Sequence, residues 1–331
     1  MTLIEDIQVP TPLAGYRRTA LDDALLLFDR ETGNNALCTG EETRGLRQLA
    51  PRALQFAITN RCNLACGFCS RDTELDSHWT AESAFVLLRD LAHAGVLEVA
   101  FGGGEPTIFP GFADLVARLH AETSLAVGFT TNGLKFDGRL AAALRNRLSQ
   151  VRISLYDDKP WANALAAALD GGVRVGINWL VTPERLPRLE DTVLDLVARG
   201  CRDVLILCYK GTDLDLHLNA AQTSNLAQRI LLLSQALGPA ATLKLDVCWG
   251  ERLEAVPQLL RRADCGAGRD FLVITSDQRM QPCSFHQVTI PFTDAADLLR
   301  IWNERRADLA TPASRAGCAR LLGSGLAEEE H

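Results

Sequence analysis

Apolar residues in this chain gather into short runs separated by stretches of helical periodicity, and the two alternate from residue 52 to about 237. The run 53–59, A-L-Q-F-A-I-T, reads as a buried strand. Thr80 then opens a stretch in which Ala84, Leu87, Leu88 and Leu91 share one face and Gly95 stands just past the end. A hydroxyl before the first turn and a glycine after the last are helix start and stop signals. Further apolar runs lie at 97–101, 125–130, 151–155, 174–181 and 204–209, with helical stretches at 110–121, 138–148, 159–170, 188–199 and 219–237. The period is plainest in 188–199, where Leu189, Val193, Leu196 and Val197 fall on one face and Gly200 follows. Six strand-helix units in succession predict an α/β fold: a parallel sheet with right-handed crossovers, its strands buried on both faces.

Residues 1–50 precede this alternation. The runs 24–30 and 35–38 flank Glu31-Thr32-Gly33-Asn34, a Gly/Asn turn that predicts a β-hairpin, and Cys38 within it reads as a small packing residue. Beyond residue 240 the pattern breaks. A strand at 242–247 leads to Cys248, and the segment 264–285 carries Cys265 and Cys283 around a predicted hairpin of 272–275 and 279–282. A helix at 294–308, Cys318 and a tail at 327–331, expected to be disordered, complete the chain. The predicted organisation is an N-terminal β-hairpin segment (1–50), a central α/β unit (51–240) and a small C-terminal α+β unit (241–331).

Composition narrows the partners. With 331 residues, 47% apolar and 23% charged, the chain has the make-up of a soluble globular protein with a large core. A net charge of -7 with no Lys/Arg stripe argues against nucleic acid and leaves a small molecule or a peptide as the expected partner. Met1 to Pro12 contain no basic segment followed by an apolar one, and no apolar run approaches the roughly eighteen residues of a membrane span. Ten cysteines without an export signal read as metal ligands and reduced thiols, which places the protein in the cytoplasm.

In parallel α/β barrels the chemistry sits at the C-terminal ends of the strands. Here Cys62, Cys66 and Cys69 follow the first strand in a C-x3-C-x2-C spacing, Gly102-Gly103-Gly104-Glu105-Pro106 the second, and Thr130-Thr131-Asn132-Gly133 the third. Ser154 lies near the end of the fourth, Asn178 on the fifth, and Cys208, Tyr209 and Lys210 end the sixth. Three thiolates in one loop can hold three irons of a cubic iron-sulfur cluster and leave the fourth iron open. A structural zinc site wants four ligands, usually as two C-x2-C pairs, and no second pair follows. Phosphate-binding glycine loops need G-x-G-x-x-G or G-K-S/T opening a helix, and neither is present. Pleating of the sixth strand puts Val204, Ile206 and Cys208 on one face and Leu205, Leu207 and Tyr209 on the other, without saying which looks inward.

With C-x3-C-x2-C after the first strand and G-G-E-P after the second, the sequence resembles the radical S-adenosylmethionine (radical SAM) superfamily. The resemblance implies a partial (β/α)6 TIM-like barrel and a 4Fe-4S cluster on Cys62, Cys66 and Cys69. It further implies S-adenosylmethionine (SAM) chelated by the open iron, an external flavodoxin- or ferredoxin-type electron donor, and cleavage to a 5′-deoxyadenosyl radical that takes hydrogen from a substrate. Glu105 would meet the methionine ammonium, Gly103 and Gly104 would let backbone approach the cofactor, and Phe68 would lie by the adenine. Thr131 and Asn132 belong to the same expected site. Ser154 and Asn178 either bond ribose or carboxylate or are ordinary strand polar residues. The C-terminal cysteines resemble the auxiliary-cluster appendages called twitch or SPASM domains, with Cys265, Cys283 and Cys318 as ligands of a second iron-sulfur cluster. Cys248 is the expected fourth ligand and an open iron the alternative, since Leu321 stands where the last Cys of the C-x2-C versions would be. The expected reaction is modification of a peptide or natural product by cross-linking, epimerisation or oxidation. A cyclase or dehydrogenase acting on a small metabolite, or a plain electron-transfer iron-sulfur protein, are the alternatives. Cys208 is either a hydrogen-atom donor to a substrate radical or a packing thiol.

Overall fold

The apolar runs predict strands buried on both faces; in the computed structural model one face packs against the helices, while the other carries small or polar residues and is partly open. The structure describes residues 4–69, 71, 75–253, 255–257, 265–286 and 288–310. Cys318 and the 327–331 tail lie outside the described residues.

The N-terminal segment forms an antiparallel meander of β1 (Arg17–Leu21), β2 (Ala24–Phe28) and β3 (Asn35–Thr39). The β2–β3 pair is the predicted hairpin, with Phe28 opposite Asn35. The added strand β1 has every residue half-buried. The predicted alternation then appears in full: β4 (Ala53–Thr59), α1 (Ala81–His93), β5 (Glu98–Gly103), α2 (Phe112–Glu122), β6 (Ala126–Thr131), α3 (Gly138–Leu144), β7 (Gln150–Ser154), α4 (Trp161–Asp170), β8 (Val175–Val181), α5 (Leu189–Ala198), β9 (Asp203–Cys208) and α6 (Ala220–Leu237). Thr80 caps α1 by accepting from the Ser83 amide, and Ala84, Leu87, Leu88 and Leu91 are its buried face.

The remaining elements are β10 (Thr242–Leu245), β11 (Phe271–Ile274), β12 (Arg279–Gln281), β13 (Ile290–Pro291) and α7 (Ala295–Leu309). They join the same sheet. β10 pairs parallel with β9, β11 pairs parallel with β4, and β12 and β13 follow antiparallel, giving the order β10-β9-β8-β7-β6-β5-β4-β11-β12-β13. Segments from beyond residue 240 therefore cover both exposed edges of the six-stranded unit, whose unpaired backbone groups would otherwise template foreign strands.

One face of the sheet carries Phe56, Ile58, Phe101, Phe129, Ile153, Ile177 and Trp179 into the main core with the helices. The other face bears small or polar residues, among them Ala57, Ala100, Gly102, Gly128, Thr130, Ser154 and Gly176. Gln55 and Ala100 are exposed although they sit in the middle of strands near the centre of the sheet, so this face is an open lumen. Lys244 on β10 acts on Glu98 of β5 with four strands between them, which requires the sheet to curl. It curls without closing: among the described residues its edges are β10 and β13.

The lumen floor is a charge network. Arg152 donates to Asp203 at 3.1 Å and to Asn178 at 2.6 Å, and Lys244 donates to Asp203 at 2.6 Å. A Cβ at residue 176 would press on the Arg152 guanidinium, so Gly176 makes room for the network. Burial pushes the Asp203 carboxyl up, but Arg152, Gln150 and Lys244 outweigh it and hold its pKa below the usual range. A depressed carboxyl contributes stability above its unfolded pKa of about 4 and loses it as pH falls through the folded value. Asp203→Ala, which strands Arg152, is expected to cost about 3–5 kcal/mol at pH 7. In urea titrations the gap from wild type should shrink toward pH 3, and a pH-independent gap would contradict the assignment.

Candidate active site

β4 ends at Thr59, and the loop behind it must leave the sheet beside the end of β5. The two meet backbone to backbone: the Gly104 amide donates to Thr59 O at 2.6 Å and the Glu105 amide to Arg61 O at 2.9 Å. Gly103 has φ +113°, and a Cβ there would overlap Thr59 O, as one on Gly104 would overlap Arg61 O. The close approach these two glycines permit is therefore to the cysteine loop itself.

Glu105 is buried and its carboxylate gathers four donors. Oε1 accepts from Thr131 Oγ1 at 2.7 Å, from Thr107 Oγ1 at 2.6 Å and from the Thr107 amide at 3.1 Å, while Oε2 accepts from the Asn132 amide at 2.8 Å. The Asn132 side chain in turn donates to Asn63 Oδ1 at 2.7 Å. The loops after β4, β5 and β6 thus form one hydrogen-bonded unit around Glu105. One lone pair of Oε2 is left for a further donor.

These loops enclose a cavity of about 930 Å³. Cys62, Cys66, Cys69, Phe68, Gly103, Gly104, Glu105, Thr131, Asn132 and Ser154 all line it. Burial pushes the Cys66 thiol up, and the neighbouring Cys69 and Cys62 add to the effect. Thiols whose charged forms would repel one another are favoured as thiolates only with cationic metal between them. Among the described residues no group of three His, Cys, Asp or Glu is placed to hold a metal ion. The donor set fits a 4Fe-4S cluster, and the space beside Glu105 fits a ligand bearing an ammonium group.

Tyr156 and Arg71 are among the lining residues that escaped the sequence reading. Tyr156 sits two residues past Ser154, with its ring 5.7 Å from that of Phe68 and its hydroxyl near the Ser154 side chain and the Cys66 thiol. Burial, with the charge of Cys66 next, drives its pKa upward, so the hydroxyl keeps its proton. Arg71 follows Cys69 by two positions; burial lowers its pKa while the Cys69 thiolate supports its charge. The signal for both was position, at a strand's C-terminal end and beside a ligand loop.

Other expected residues lie elsewhere. Asn178 pairs in register with Ser154 but is outside the cavity lining, its amide oxygen taken by Arg152. Cys208 is buried with Val204 and Ile206 in the helix-side core, where Arg252 donates to its sulfur at 2.8 Å. Its thiol therefore faces away from the lumen, as a packing group does and a hydrogen-atom donor to a lumen substrate does not. Cys248, Cys265 and Cys283 are half-buried and also outside the cavity. Lys210 links two of their loops: it pairs with Asp246, two residues before Cys248, and lies 5.0 Å from the ring of Phe285, two residues after Cys283. Burial would lower the Lys210 pKa, but Asp246 and Cys248 outweigh it and raise it.

Residues 56–160 match the family model of the radical SAM superfamily. That span is a radical SAM domain, and the cofactors of such domains are a 4Fe-4S cluster and SAM. Among curated relatives it is 35% identical over 161 residues to molybdenum cofactor biosynthesis protein 1 of Mus musculus, covering 47% of this chain and 23% of that protein. It is 32% identical over 151 residues to PqqA peptide cyclase of Streptomyces rochei, covering 44% and 41%. Fe-coproporphyrin III synthase of Methanosarcina barkeri matches at 28% over 240 residues, covering 61% and 60%. The chain thus spans less than two thirds of the length of each of these relatives. Among solved structures, Streptococcus suis SuiB bound to precursor peptide SuiA aligns with TM-score 0.67 and 18% identity over 84% of this chain and 70% of that one. Native anSMEcpe with bound AdoMet aligns with TM-score 0.65 and 15% identity over 85% and 92%. At these identities the likeness speaks for the fold. No helix among the described residues is long and apolar enough to cross a membrane.

Proposed function

We propose that this chain is a radical SAM enzyme that modifies a peptide or peptide-like natural product. The observation that carries the chemistry is the convergence of the cysteine loop and the G-G-E-P loop on one cavity. Cys62, Cys66 and Cys69 would hold the cluster, and Oε2 of Glu105 would accept from the methionine ammonium. Phe68 and Tyr156 offer aromatic faces to the adenine, and Ser154 a hydroxyl to the ribose. Bound there, the cluster would supply the electron for reductive cleavage of SAM.

The open lumen favours a peptide. A small metabolite is usually enclosed, whereas mid-strand residues here face solvent along a trough of small side chains. Cys248, Cys265, Cys283 and Cys318 are proposed to hold a second cluster, a reading supported by the meeting of the Cys248 and Cys283 loops at Lys210.

Anaerobically reconstituted protein given SAM and dithionite is expected to release 5′-deoxyadenosine, faster when peptides encoded beside its gene are added. GTP should pass unchanged. Consumption of GTP would displace the peptide reading in favour of a metabolite cyclase, and no 5′-deoxyadenosine under any condition would remove the radical SAM reading.

A further inference from the structure

A second cavity of about 370 Å³ adjoins the first and shares Asn60 and Arg71 with it. Its other wall is the β11–β12 hairpin, which contributes Ser276, Asp277, Arg279 and Gln281. This wall is braced. The buried Trp79 donates its indole N–H to Thr275 O at 2.8 Å, and Arg279 donates from Nε to Thr289 Oγ1 at 3.0 Å and from Nη2 to Thr289 O at 3.3 Å. The Arg279 guanidinium is thereby fixed, with Nη1 making no hydrogen bond among the described residues. Arg71 forms no hydrogen bond or ion pair with any described residue, although it is half-buried between the two cavities.

We propose that this cavity is a subsite for a carboxylate of the substrate, held by Arg71 and Arg279 so that an adjoining carbon reaches the SAM cavity. The proposal rests on the radical SAM reading above. An arginine fork matches a carboxylate in shape and donor spacing, and arginine keeps its charge even when partly desolvated. Among the described residues that line this cavity, two guanidinium groups face one carboxylate, that of Asp277, a balance that suits a carboxylate ligand. On a chain of net charge -7 an acidic ligand gains nothing from the overall field, so its recognition has to be local.

The test measures binding of small probes to the whole reconstituted protein with SAM present, by saturation-transfer NMR and calorimetry. N-acetylglutamate α-amide stands for an acidic side chain, N-acetylglycine for a chain terminus, and N-acetylglutamine amide is the neutral isostere. One of the two carboxylates is expected to bind at least tenfold more tightly than the isostere, and which one wins tells an internal acidic residue from a C-terminus. Arg71→Ala should weaken that binding at least tenfold, with Arg71→Lys in between. Asp277→Asn should tighten it, a gain that misfolding cannot produce, and Asp277 does not line the SAM cavity. Equal binding of the neutral isostere, no gain in Asp277→Asn, or an Arg71→Ala variant that loses SAM affinity alone would each overturn the subsite. Carboxylate binding without SAM cleavage would condemn only the radical SAM reading; SAM cleavage without carboxylate binding would condemn only the subsite.

Discussion

Changing Cys62, Cys66 and Cys69 together to alanine is expected to lower the iron of the reconstituted protein from about eight to about four atoms per chain and to abolish 5′-deoxyadenosine formation. The three thiols line one cavity, while Cys248, Cys265 and Cys283 lie outside it, so the two sets should load separately. The folded state should survive, because Cys62 and Cys69 are exposed and Cys66 is only half-buried; their loss leaves no core cavity. Iron content, the absorbance near the charge-transfer bands and the thermal midpoint give three separate readings. An unchanged iron count would break the assignment of these cysteines, and a count of about four in the wild type would remove the second cluster instead.

The parallel strands were legible because their apolar runs are bounded by turn residues and glycines, and the C-x3-C-x2-C and G-G-E-P loops announced themselves at two strand ends. Other features were not. β1, R-R-T-A-L, has no apolar alternation; its five residues are all half-buried, so it exists through pairing with β2 rather than through its own pattern. The helix predicted over 138–148 stops at Leu144, since Arg145 already turns out of helical geometry with ψ 133° and Asn146 follows with a left-handed φ of +59°. Strand β9 is apolar on both faces, so the period of two carried no marker of orientation; the structure settles it by packing Val204, Ile206 and Cys208 against the helices. The edge strands β10 and β11 were visible as strands, but that they would flank opposite ends of one sheet depends on partners far away in sequence, Ile206 for Leu245 and Leu54 for Leu272.

Glu105 is the residue whose role changes most between sequence and structure, and its replacement carries the largest expected loss of fold and function together. Read as a motif it needs only to meet the methionine ammonium, and its loss would then weaken SAM binding and leave the cluster alone. In the structure its carboxylate also accepts from Thr107, Thr131 and Asn132, the last two being the final residue of β6 and the one after it. Glu105→Ala orphans these donors in a buried place. The two hydroxyls can turn to other acceptors, but the amides of Thr107 and Asn132 cannot. At about 1–3 kcal/mol for each orphaned group the variant should lose roughly 2–6 kcal/mol, a large part of the total stability of a typical domain at about 5–15 kcal/mol. Since Asn132 also holds Asn63 in the cysteine loop, cluster retention should fall along with SAM affinity. Glu105→Gln is the sharper probe: it keeps the shape but turns an NH2 group toward donors, either the three on Oε1 or the Asn132 amide. It should therefore lower the urea midpoint and iron retention nearly as much as alanine does. A Gln variant with wild-type stability and iron but weakened SAM binding would reduce Glu105 to a ligand of the ammonium, and one with wild-type SAM affinity as well would take it out of the site.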